Sequence, residues 1–130
     1  MFTIEQINAA HSKVKSGADF PRYIRELNSM GVDSYETYVT DGHTIYFGTD
    51  NYSINSGPKY AALNVAGVSD ALQFQLDLKA HQQGHTDYPA FCKHCAHSGV
   101  EKWRVDMAAM TCTYFSKTGQ VLLAENIPAL

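Results

Sequence analysis

Residues 87–115 read DYPAFCKHCAHSGVEKWRVDMAAMTCTYF, and residues 19–47 read DFPRYIRELNSMGVDSYETYVTDGHTIYF. Set one above the other without a gap, 68 residues apart, they agree at six of 29 positions. The agreements fall on residues with structural jobs. Asp19 meets Asp87 and Pro21 meets Pro89. An acid there can cap a helix, and a first turn tolerates proline because the missing N–H would have no intrahelical partner anyway. Gly31 meets Gly99, where a helix can end in the left-handed conformation. Tyr35 meets Trp103, and Tyr46-Phe47 meets Tyr114-Phe115. After each glycine the residues alternate: Tyr35, Thr37 and Val39 in one stretch, Trp103, Val105 and Met107 in the other. A period of two marks a half-buried strand.

Outward from these stretches the pattern continues. Thr3-Ile4-Glu5-Gln6 fits a capping box, and Ile4, Ile7 and Val14 recur at helical spacing with His11 among them, up to Gly17. Ser69 can cap a later helix that runs to about Gln83. Leu72 and Leu76 lie on one side of it, and Phe74, Leu78 and His81 on another. The helix opened by Asp19 carries Tyr23, Ile24, Leu27 and Met30, and the one opened by Asp87 carries Phe91, Cys92 and Cys95. Asp41-Gly42 signals a two-residue type I′ hairpin turn before a return strand over 43–47. Asp50-Asn51 precedes a short strand near Tyr52–Ile54, and Lys117-Thr118-Gly119 precedes one at Val121–Leu123.

The expected architecture is α+β: a single domain over 1–130, internally duplicated as a helix-helix-strands unit, with halves of approximately 3–58 and 69–125. A unit of about 60 residues is marginal as an independent core. The halves should therefore share one core about a pseudo-twofold axis, with helices on one face of an antiparallel sheet. The edges of an open sheet leave unpaired backbone groups, which leaves a homodimer open.

Composition narrows the function. Apolar residues make up 45% and charged residues 18%, as in ordinary globular proteins and unlike disordered ones. The net charge of −3 argues against nucleic acid, whose nonspecific binders cluster Lys and Arg. No stretch approaches the roughly 20 apolar residues of a membrane span. The start, MFTIEQINAA, lacks the basic-then-apolar pattern of a secretion signal. Three cysteines do not fit a secreted disulfide framework. The expected location is the cytoplasm.

The segment 81–97 packs four histidines and two cysteines into 17 residues. One reading is a zinc site from His81 or His85 with Cys92 and Cys95, since Cys-x2-Cys is a common half-site. Another is a reactive thiol at Cys92 helped by a histidine. Helical geometry weighs against four converging ligands: Cys92 and Cys95 share a face, while His94 and His97 diverge from its centre. In the alignment Cys92 falls on Ile24 and Cys95 on Leu27. The plainer reading is therefore buried structural cysteines, with Cys112 a third, and solvated histidines. His43 is expected to be exposed after its turn, and Asp41 and Asp106 show no sign of an acid–base pair. The strand aromatics Tyr35, Tyr38, Tyr46, Phe47, Trp103, Tyr114 and Phe115 suit cross-strand packing better than a stacking platform. Phosphate-loop, dinucleotide and hydrolase signatures are absent from the sequence.

Several segments together resemble the YbcV-like family of small bacterial proteins of unknown function. They are Ala10-His11-Ser-Lys-Val, His43-Thr-Ile-Tyr-Phe-Gly48, Lys79-Ala-His81-Gln-Gln-Gly84, Thr86-Asp-Tyr-Pro-Ala-Phe-Cys92, Gly99-Val-Glu-Lys-Trp103 and Met110-Thr-Cys-Thr-Tyr-Phe115. Some members carry the label "phage envelope protein" and occur in prophages, so the resemblance implies a phage link. It supplies no reaction, cofactor or catalytic residue, and a literal envelope component fits poorly with the lack of a membrane segment. In the family pattern His81, Asp87, Cys92 and Trp103 recur, whereas His94, Cys95 and His97 are less typical. The candidate functional residues are thus His81, Cys92 and Asp87. The expected role is a non-enzymatic accessory or binding one, with an unknown protein or small-molecule partner, no metal and no other cofactor. The alternative is a metal- or thiol-dependent enzyme using His81 and Cys92.

Overall fold

In the computed structural model, residues 1–15 and 19–128 are described. The capping box forms at the start of α1 (Ile4–His11): the Gln6 N–H donates to the Thr3 hydroxyl and the Thr3 N–H to the Gln6 side chain. The helix is shorter than its apolar spacing suggests. At its end the Ser12 hydroxyl donates to the Ala9 carbonyl, a local bond of the kind that competes with further winding. Val14 lies beyond it, and Gly17, expected to end it, lies outside the described residues.

Helix α2 (Phe20–Ser29) buries Tyr23, Ile24 and Leu27. Asp19 stands at its cap position but makes no side-chain cap bond to it. Its carboxylate accepts from the Lys15 N–H at 2.9 Å instead. Strands β1 (Ser34–Tyr38), β2 (Thr44–Phe47) and β3 (Ser53–Asn55) follow, then α3 (Ala71–Gln82) and α4 (Tyr88–His97), then β4 (Lys102–Asp106), β5 (Thr111–Phe115) and β6 (Val121–Asn126). The cap of α3 is Asp70, not Ser69: Asp70 accepts from the Gln73 N–H, and the Ser69 hydroxyl donates to the Gly99 carbonyl. Two adjacent cap formers stood there, and the neighbouring loop engages the first.

The fold is α+β, with the helices set against one six-stranded antiparallel sheet in the order β3-β2-β1-β4-β5-β6. β1 and β4 pair at its centre, from Ser34 opposite Asp106 to Tyr38 opposite Lys102. Displaced by 68 positions, α2 falls on α4 and β1 on β4 residue for residue, and α1, β2 and β3 fall within α3, β5 and β6. The central hydrogen bonds follow the same shift: Val39 N–H donates to Glu101 O, and Met107 N–H to Asp33 O.

One face of the sheet carries Tyr35, Thr37, Tyr46, Trp103, Val105, Cys112 and Tyr114, all buried. Phe74 of α3 meets Tyr114 and Phe91 of α4 meets Trp103. Buried residues from both halves of the chain form one hydrophobic cluster. The opposite face is half-buried and holds Glu36, Tyr38, Ile45, Phe47, Lys102, Arg104 and Phe115. The aromatic residues therefore divide between a packed face and a wetter one.

The β1–β2 hairpin differs from the expected two-residue turn. Gly42 N–H donates to Tyr38 O and Tyr38 N–H to His43 O, so the chain turns over Val39–Gly42. Only Gly42 has positive φ there. A type I′ turn would require Asp41 to adopt it as well.

Candidate functional site

The turn between α3 and α4 gathers two of the three candidate residues. His81, in the last turn of α3, stacks on Phe91 of α4 with centroids 4.4 Å apart. Its Nδ1 donates to the Thr86 carbonyl at 3.1 Å, which requires the proton on Nδ1. Asp87 caps α4 by accepting from the Ala90 N–H at 2.9 Å. Gly84, at φ 82°, reverses the chain between His81 and His85.

Cys92 lies on the buried side of α4, 1% exposed. Burial pushes its thiol up, against a weaker opposing pull from the Tyr60 and Tyr88 hydroxyls beside it. Burial likewise raises Cys95, and it pushes Cys112 up to about 11. All three thiols are free. A thiolate is the form that attacks or binds metal, so these environments favour the unreactive form. Among the described residues no three His, Cys, Asp or Glu side chains stand together as a metal-binding group.

The structure brings together a different set. α3 and α4 run side by side and flank an open cleft of about 440 Å³ lined by Asp70, Gln73, Asp77, His94, His97 and Ser98, of which Asp70, Gln73 and His97 are exposed. Two polar atoms there are buried with no hydrogen-bond partner among the described residues: His94 Nδ1 and Ser98 Oγ. Ser98 is 1% exposed. Such atoms are rare in folded proteins because an unmade bond costs the full desolvation of the group. Asp70 and Asp77 each engage one oxygen with Gln73, at its N–H and its side-chain amide. Of the two histidines of this cleft, both expected to be solvated, His97 is exposed, as expected, whereas His94 is only partly exposed. Helical spacing showed that they turn away from Cys92, but not that α3 stands there to meet them.

His43 also departs from expectation. It is half-buried, stacked on Tyr38 at 4.5 Å, and its Nδ1 donates to the Asp41 carboxylate. That bond lowers the Asp41 carboxyl. The Asp-x-His spacing across a turn was the available signal. On the same sheet face Lys102 Nζ lies 5.5 Å from the centres of the Tyr38 and Phe115 rings, and Arg104 lies over Phe47. The chain's own cations thus occupy the faces of those rings.

Among the described residues no helix is long and apolar enough to cross a membrane. No curated protein matches the chain. A family model described as "Protein of unknown function (DUF1398)" matches residues 8–126, nearly the whole sequence, and the chain belongs to that family.

Proposed function

We propose that this chain is a non-enzymatic accessory or binding protein of the bacterial cytoplasm, linked to a prophage. The phage link rests on the YbcV-like resemblance. The observation that carries the non-enzymatic reading is the state of Cys92: fully packed, with its thiol pushed up. His81 and Asp87 serve the same end, by stacking on Phe91 and capping α4. In this reading His81, Cys92 and Asp87 are positioning residues that hold α4 against α3 and the sheet.

The chain functions as one domain made of two copies of a helix-helix-strands unit, related by a pseudo-twofold axis between β1 and β4. Supporting this are the coincidence of the elements at a displacement of 68 and the paired bonds Val39–Glu101 and Met107–Asp33.

The test is a broad panel of ester, phosphoester, amide and glycoside substrates, run on the full chain with and without added divalent metals. The expected result is no turnover above background in the wild type or in Cys92→Ser. Reproducible turnover that Cys92→Ser abolishes would establish the thiol enzyme instead.

A further inference from the structure

We propose that the cleft between α3 and α4 binds a linear aliphatic polyamine, an inference that rests on the binding-protein reading and gives it a ligand class. The cleft holds two carboxylates, Asp70 and Asp77, and no Lys or Arg. Its lining therefore carries two acidic side chains and neither a lysine nor an arginine to offset them. Its polar groups are rich in acceptors: the carboxylates, the Gln73 amide oxygen, and the buried Ser98 Oγ that has no partner. Such a lining suits a cationic donor.

Size and spacing choose among cations. A volume of about 440 Å³ is that of a small-molecule site and far exceeds a bare ion. No three ligating side chains converge among the described residues, which a chelated metal would require. Asp70 and Asp77 are seven residues apart along α3, a rise of roughly 10 Å at 1.5 Å per residue. That places two negative charges along one wall, matched by ammonium groups separated by a flexible chain. His94 and Ser98 line the opposite wall from α4, where the Ser98 Oγ is buried without a partner among the described residues.

The experiment is calorimetric titration of the full chain with spermidine, putrescine and propylamine at about 150 mM salt, where distant charges are screened. Spermidine should bind in one-to-one ratio, more tightly than putrescine, and propylamine at least about tenfold more weakly than spermidine. Asp77→Asn should weaken spermidine about tenfold. Asp70→Ser, which preserves a capping side chain, should do the same. Ser98→Ala should weaken binding several-fold while the protein stays folded, because the deleted hydroxyl has no partner to lose. Absence of binding at millimolar spermidine, or equal affinity in wild type and Asp77→Asn, would overturn the proposal, the cleft then holding only water. Mass spectrometry of the recovered spermidine separates the two readings. Unchanged spermidine with no binding defeats the cleft alone, whereas consumed spermidine defeats the non-enzymatic reading.

Discussion

Glu36 and Arg104 face each other across the central strands β1 and β4, with Arg104 donating to the Glu36 carboxylate at 2.9 Å. They are also the two residues that a displacement of 68 superposes. The central strand pair thus joins two positions 68 residues apart whose side chains carry opposite charges. Two identical residues at such a point would meet as like with like. Lys102 and the Tyr38 hydroxyl also donate to Glu36. Burial opposes the Glu36 charge, but these hydrogen bonds outweigh it and the carboxyl lies below its usual value.

Glu36→Gln should therefore cost about 1–2 kcal/mol at neutral pH, at the lower end of the roughly 1.5–3 kcal/mol for hydrogen bonds to charged groups because the glutamine amide oxygen keeps one acceptor. The pH dependence follows in sign. A lowered folded value means the stabilisation is present above the ordinary carboxylate value near 4.5 and is lost as pH falls through the lower folded value. Urea midpoints measured from about pH 7 down to about pH 3 should show the wild type losing its advantage over the variant on acidification. A constant difference across that range would show that the Glu36 charge is not what the contact uses.

Gly99 and Gly119 offer a controlled comparison. Both have positive φ, 78° and 86°. A methyl at Gly119 meets nothing within 4 Å, whereas one at Gly99 comes within 2.7 Å of the Ser69 Cα, a backbone atom. Gly119→Ala should cost only the left-handed strain, about 1 kcal/mol. Gly99→Ala should cost at least twice that, because the 68–70 segment must move. Equal thermal or urea shifts for the two would mean that this segment yields freely.

The caps and glycines explain why most of the fold was readable. Asp87 caps an amide three residues on, and Pro89, Gly31 and Gly99 act through their own backbone, so their signals are local, and strand alternation reports burial directly. What failed depended on competition between neighbours. Ser69 and Asp70 can both cap, and the choice is made by the Gly99 carbonyl, which lies thirty residues away in the chain. Asp19 has the right residue type, but the amide of Lys15 takes its carboxylate. The α3–α4 cleft was unreadable for a related reason. Asp70 and Asp77 look like ordinary solvated acids until α4 packs beside them and brings Ser98 to the same space.

Asp87→Ala tests the cap that was legible. Losing the acceptor for the Ala90 N–H should destabilise the protein by about 1 kcal/mol, and Asp87→Ser should restore most of it, since serine caps nearly as well. Denaturant titration of the three proteins reads this directly. If serine fails to rescue, Asp87 has a role beyond capping, and its place among the functional candidates regains weight.

The thiols give the sharpest check on the packed state of Cys92. A thiol at about 11, as for Cys112, is ionised to roughly one part in a thousand at pH 8, and burial removes access as well. Native protein should therefore react with an aromatic disulfide reagent at least about 100-fold more slowly than free cysteine. All three thiols should become available together once urea unfolds the chain, and labelling below the transition should accelerate with urea as openings become more frequent. Mass mapping of the first site labelled separates the alternatives. If Cys92 alone reacted promptly in native buffer, its side chain would be reached through fluctuations of Tyr60 and Tyr88, and the reactive-thiol reading would replace the structural one.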